Sequence, residues 1–206
     1  MITKKAKFLR VLNNVYFKKN EPVSIVHFLT NRCNARCSFC FIDFDNPKTF
    51  ENELTLNEID KLTKNLGNSL MNVNFTGGEP FARKEITEIA KLYIKNSTIQ
   101  SIYITTNGSL PDRAINFCNE VNAFDKSVEI NLQISIDDLP EKHNKVRKIK
   151  DLFESCIDLY RKVKQLKLEN ISATVSITVS HENCDNIEKI FNVLTTEYEV
   201  DSIKCC

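Results

Sequence analysis

Short runs of alternating apolar and polar residues punctuate this chain, and between them apolar residues recur every three or four positions. Ile171, Ala173, Val175, Ile177 and Val179 alternate with Ser172, Thr174, Ser176, Thr178 and Ser180. Val128, Ile130, Leu132, Ile134 and Ile136 alternate with Glu129, Asn131, Gln133, Ser135 and Asp137, and Val73 and Phe75 with Asn72, Asn74 and Thr76. A period of two belongs to a strand whose two faces meet different surroundings. Strands are expected at 23–30, 73–76, 99–105, 128–136, 171–179 and 200–204. Helical spacing fills 55–66, 84–95, 111–121, 150–167 and 185–196. In the first of these helices Ile59, Leu62 and Leu66 share a face, Thr55 and Glu58 make a capping box, and Gly67 can close the end. In the third, Pro111 falls in the first turn with Ser109 or its neighbour as cap. The longest carries Leu152, Phe153, Cys156, Tyr160 and Val163 as one stripe.

Strands joined through helices imply a parallel α/β sheet. A parallel sheet covered on both faces normally has continuous apolar strands. Here every second position is polar, so only one face meets the helices. The pattern predicts an open or partial barrel with helices outside and a polar lumen that holds polar ligands. The alternative is a sheet with one face in water.

The 206 residues suit one domain, with 1–21 as a lead-in and 22–206 as the core. Apolar residues make up 42%, too many for a disordered chain, and a net charge of +1 argues against nucleic acid as a partner. No apolar run reaches the ~20 residues that span a bilayer, and residues 1–20 lack the apolar block of an export signal. A cytoplasmic location is expected, so the eight cysteines should be reduced thiols or metal ligands. Glycine is scarce: of four, Gly77, Gly78 and Gly108 follow predicted strands, and Gly67 follows a helix.

Cys33, Cys37 and Cys40 form Cys-x-x-x-Cys-x-x-Cys in one loop after the first strand. Three close thiolates suit an iron–sulfur cluster or zinc, with one coordination position open. Zinc would draw a fourth ligand from elsewhere, with His27 and Cys118 as candidates. The run Thr76-Gly77-Gly78-Glu79-Pro80 closes the second strand. Two glycines there let the backbone approach a ligand, and the carboxylate can accept from an ammonium group. Thr105-Thr106-Asn107-Gly108 closes the third strand. The fourth delivers Ser135 and Asp137, followed by His143, Asn144 and Arg147. Asn183 follows the fifth, as a helix cap or a further site residue. Cys118 and Cys156 lie on apolar helix stripes as core thiols, Cys184 opens a helix, and Cys205 and Cys206 end the chain.

The run Leu29-Thr30-Asn31-Arg32-Cys33-Asn34-Ala35-Arg36-Cys37-Ser38-Phe39-Cys40 resembles the cysteine motif of the radical S-adenosylmethionine (SAM) superfamily, down to the aromatic Phe39 before the third cysteine. Gly-Gly-Glu-Pro and Thr-Asn-Gly resemble the family's next two motifs. Ser135 to Arg147 is similar to the stretch in members that modify peptides or proteins and often carry SPASM-type C-terminal extensions. Asp138 and Asn144 depart from that pattern, where Gly and Asp are usual.

The resemblance implies a partial (β/α)6 barrel. Cys33, Cys37 and Cys40 would hold a [4Fe–4S] cluster. Phe39, Gly77, Gly78, Glu79, Pro80, Asn107, Ser135, Asp137 and Arg147 would contact SAM, with Gly77–Pro80 at its amino group and Ser135 and Asp137 at its ribose. Arg147 would reach the SAM carboxylate, or else be a surface arginine. A flavodoxin- or ferredoxin-like protein would supply one electron, and a peptide or protein is the favoured substrate. No Cys-rich region follows the barrel, so the chain resembles a minimal member or a fragment of a longer one. The rival reading is a zinc-stabilised or non-catalytic barrel that binds a partner.

Overall fold

The computed structural model describes residues 4–206. The strands are β1 (Ser24–Thr30), β2 (Asn72–Gly77), β3 (Ser101–Thr106), β4 (Glu129–Ser135), β5 (Ile171–Ile177) and β6 (Ile203–Cys205). They form one sheet in the order β1-β2-β3-β4-β5-β6, with every pair parallel. The helices are α1 (Lys4–Asn13), α2 (Leu56–Lys64), α3 (Ile86–Asn96), α4 (Pro111–Phe124), α5 (Pro140–Arg147), α6 (Leu152–Gln165) and α7 (Ile187–Thr196). Each step along the sheet goes in the same direction. Right-handed crossovers then leave the crossover helices on one side, which is the arrangement of the partial barrel expected from alternation.

Packing divides the two faces. Val73, Phe75, Ile102, Ile104, Ile130, Leu132, Ile134, Val175 and Ile177 are buried on the helix side. They meet Ile59, Tyr93, Phe117, Phe153, Tyr160, Ile190 and Leu194 in one core. Each large side chain buried there contributes roughly 1.5–3 kcal/mol. The inner face carries Asn74, Thr76, Tyr103, Thr105, Asn131, Gln133, Thr174 and Ser176, aligned across the strands by the register.

The capping box at Thr55 and Glu58 is present. α4 starts at Pro111 with Leu110 at the cap position and no side-chain cap, so Ser109 does not serve there. Ser109 instead bonds Asn107 and Asn34. Two helices lie outside the expected elements. α5 runs over a stretch with no apolar stripe. α1 lies within the lead-in, which is fastened by Asn14: its amide donates to Glu21 O at 2.6 Å and accepts from Asn20 and Glu21 N–H. The Glu21 carboxylate in turn accepts from Asn68 N and Ser69 Oγ, just before β2.

Candidate cofactor site

The loops at the C-terminal ends of β1, β2, β3 and β4 converge, and much of their contact is main chain to main chain. Gly78 N donates to Thr30 O at 2.7 Å, and Glu79 N to Arg32 O at 2.8 Å. The Gly-Gly turn therefore lies against the start of the cysteine loop. A Cβ on Gly77, whose φ is +134°, would stand 2.1 Å from Thr30 O, and one on Gly78 would stand 2.3 Å from Arg32 O. Only glycine allows this approach.

Glu79 is fully buried. Its carboxylate accepts from Phe81 N at 3.1 Å, Thr106 Oγ1 at 2.8 Å and Asn107 N at 2.7 Å. Burial raises its pKa against the pull of those donors. Glu79 thus fastens the loop after β2 to the loop after β3. Asn107 extends the chain of contacts, its Nδ2 donating to Asn34 Oδ1 at 3.0 Å and lying 3.6 Å from Cys33 Sγ. The N–H of Ala35 also points at Cys33 Sγ, at 3.4 Å.

On the far side, α5 holds the cysteine loop. Arg36 N donates to Arg147 O at 3.1 Å. The Arg147 guanidinium is buried, pairs with Asp137 Oδ2 and lies 5.9 Å from the Phe39 ring centre. Burial opposes its charge, and Asp137 together with the nearby Cys37 more than offsets it, so its pKa is raised. The surface alternative for Arg147 is thereby corrected. Asp137 Oδ1 also accepts from Thr178 N at 3.0 Å, and its backbone N–H donates to His143 Nδ1 at 3.2 Å. Asn183 makes no helix cap, contrary to one expectation. Its Nδ2 donates to Asp137 O and Thr178 O, bracing the ends of β4 and β5.

The three cysteines are partly exposed and unbridged. Burial raises the Cys37 pKa. Arg147 pulls it down, while Cys33 and Cys40 stand near enough to push it further up. Burial also raises Cys33. A metal would displace these protons. Among the described residues no three Cys, His, Asp or Glu side chains are gathered tightly enough to grip a single ion. Three unbridged thiols in one loop, with N–H groups aimed at one sulfur, are a donor set of the kind that holds a cluster with one iron left open. The proposed fourth zinc ligands lie elsewhere. His27 bonds Tyr93 Oη at 3.0 Å within the helix-side core, and Cys118 is buried on α4.

Ser135 is buried on β4, and Pro80 is buried at the start of a short 3-10 turn, Pro80–Ala82. Among the other cysteines, Cys156 is a core thiol whose Sγ lies 3.2 Å from Asn107 O, and Cys184, Cys205 and Cys206 are exposed. Thr106 belongs to the Thr-Asn-Gly motif, whereas Thr178 and the backbone of Arg147 act by contacts between elements that no local pattern marks.

A family profile, the Radical SAM superfamily, matches residues 28–194, and the chain belongs to that family. Membership implies a [4Fe–4S] cluster and SAM. The chain is 29% identical over 185 residues to Fe-coproporphyrin III synthase of Methanosarcina barkeri, covering 88% of this chain and 43% of that protein. It is 26% identical over 171 residues to the sporulation killing factor maturation protein SkfB of Bacillus subtilis, covering 82% and 38%. The solved structure of anSMEcpe with bound AdoMet and a Cp18Cys peptide superposes with a TM-score of 0.67 at 19% identity, covering 89% of this chain and 50% of that one. The chain thus spans half or less of the length of these proteins. No helix among the described residues is long and apolar enough to cross a membrane.

Proposed function

We propose that this chain is the catalytic barrel of a radical SAM enzyme that acts on a peptide or protein. The observation that carries the reading is the locking of the Cys33–Cys40 loop onto the Gly77–Pro80 turn through Thr30 and Arg32 carbonyls. Two family motifs, nearest in sequence at Cys40 and Gly77, are joined by main-chain hydrogen bonds. Cys33, Cys37 and Cys40 would hold the cluster by three irons. Gly77, Gly78 and Pro80 would offer close main chain to the SAM amino group, with Glu79 and Asn107 fixing that turn against Cys33. Ser135 and Asp137 would face the ribose. Bound there, the two cofactors supply a 5′-deoxyadenosyl radical, made by reductive cleavage of SAM, that takes a hydrogen atom from the substrate.

The protein's own work is placement and exclusion of water. Arg147 supports that placement through its pair with Asp137 and its carbonyl on Arg36, and its Nη1 edge, which none of these bonds uses, would reach the SAM carboxylate. An external one-electron reductant, flavodoxin- or ferredoxin-like, is required. The peptide assignment draws support from two similar proteins: the SkfB name describes maturation of a killing factor, and anSMEcpe was solved with a peptide bound.

Anaerobic reconstitution with iron and sulfide, followed by dithionite and SAM, tests the reading. Expected are about four irons per chain and 5′-deoxyadenosine. A fully loaded cluster that yields no 5′-deoxyadenosine overturns it. Cys37→Ala should lose both iron and product while remaining folded.

A further inference from the structure

The sheet's inner face is uncharged in its middle layers, with Glu129 at the far end in register with Ser101. From β2 to β5 it presents Asn74, Thr76, Tyr103, Thr105, Asn131, Gln133, Thr174 and Ser176. At the β1 edge it is apolar: Val26 and Phe28 pair in register with Asn74 and Thr76, and both are half exposed, with Phe41 edge-on to Phe28. At the opposite edge stands a cation. Lys204 pairs with Ser176, which pairs with Ser135, so it occupies the layer nearest the mouth. Its Nζ donates to Gln133 Oε1 at 2.6 Å, and the same oxygen accepts from Thr105 Oγ1 at 3.2 Å. Lys204 is half-buried, and no carboxylate among the described residues lies within ion-pairing distance of it.

We infer that Lys204 is a carboxylate anchor inside the barrel, and that the substrate is a peptide presenting an acidic side chain or terminal carboxylate to it. A half-buried lysine turned toward the lumen and steadied by a neutral amide leaves one positive charge with no carboxylate partner among the described residues. Such a charge attracts an anion more strongly than a surface lysine does. Gln133 keeps the ammonium turned inward, and Thr105 sets the oxygen that receives it.

SAM also has a carboxylate, so the source of the anion needs separating. The cysteine loop and the Gly77–Pro80 turn follow β1 and β2. Lys204 sits on β6, at the other edge of the sheet. The methionine end of SAM belongs with the former, which leaves Lys204 to the substrate. This inference rests on the radical SAM reading only for taking the lumen as the substrate chamber.

The chain contains no tryptophan, so a tryptophan-bearing peptide can be followed against a dark protein. The probes are the blocked hexapeptide Gly-Trp-Gly-Glu-Phe-Gly and its twin with Gln for Glu. Both are titrated by fluorescence anisotropy into reconstituted protein with SAM and no reductant. The Glu peptide should bind about fivefold tighter than its twin, and the preference should vanish in Lys204→Met and persist in Lys204→Arg. A Glu peptide no tighter than the Gln peptide, or a preference that survives Lys204→Met, overturns the inference. SAM affinity measured in the same variant separates the two sources: a drop there assigns the anion to SAM and overturns the substrate role. A protein that makes 5′-deoxyadenosine yet shows no Glu preference defeats the anchor alone, and the converse defeats the radical SAM reading alone.

Discussion

Arg147 donates to Asp137 Oδ2 through Nε at 2.9 Å and through Nη2 at 2.6 Å, and both side chains are at least nine-tenths buried. The pair joins the last residue of α5 to the end of β4, directly beneath the cysteine loop. Removing one partner strands the other's charge away from water. Arg147→Met is expected to cost about 3–5 kcal/mol of unfolding free energy, read from urea denaturation of the metal-free protein. Asp137→Asn should cost a similar amount. A loss under 1 kcal/mol, the range of exposed pairs, would show that water reaches the site.

Gly78→Ala places a methyl 2.3 Å from Arg32 O and 2.8 Å from Asn31 O, both main chain. Main chain cannot rotate aside. The variant should lose more than about 2 kcal/mol of stability, beyond the ~1 kcal/mol of an average substitution. It should also fail to retain SAM in equilibrium dialysis. Wild-type SAM affinity in Gly78→Ala would mean that the turn and the cysteine loop can separate without consequence.

Glu79→Gln replaces an acceptor-only carboxylate that faces three donors. The new NH2 must point at one of them. SAM affinity should fall about tenfold or more while iron content after reconstitution stays near that of the parent. Loss of iron in step with SAM would place Glu79 in the support of the cysteine loop instead.

Two buried histidines set an acid limb of stability. Burial, then the nearby Arg83, pushes the His27 pKa down to about 4. Burial, then Arg147, pushes His143 down to about 3. Unfolded, each takes up its proton near 6.5. Between those values the unfolded chain binds more protons than the folded one, so stability falls as pH drops from about 6.5 toward 4. The limiting slope for two such groups is about 2.7 kcal/mol per pH unit. Urea midpoints between pH 4.5 and 6.5 should show the fall, and His143→Gln should remove about half the slope. A flat profile would mean that both rings are already charged in the fold.

The strands were legible because the sheet's faces meet different surroundings, and alternation records that difference. The Cys33–Cys40 and Gly77–Pro80 motifs were legible because each depends on local spacing. α5 was not. Between Pro140 and Arg147 only Val146 is aliphatic, and the helix is held by contacts to other elements, with His143 buried under Asp137 and Arg147 paired to it. Asn183 reads locally as a helix cap, but its amide is claimed by carbonyls at the ends of β4 and β5. A polar side chain whose partner lies across the fold leaves no periodic trace. For the same reason the Lys204–Gln133 contact becomes visible only once β4 and β6 share a sheet.

The cysteine loop takes its shape from Thr30 O, Arg32 O and Arg36 N, which bond to Gly78 N, Glu79 N and Arg147 O. These atoms exist whatever side chains the residues carry. The exposed Arg32 side chain should therefore vary in a mutational scan while the ligand spacing holds, Arg36 should vary less because its Nη1 donates to Cys33 O and Ala35 O, and Gly77 and Gly78 least of all. The fold stores the address of its cofactor chiefly in peptide groups, and side chains between the ligands such as Asn34 and Arg36 steady an address that the main chain has already set.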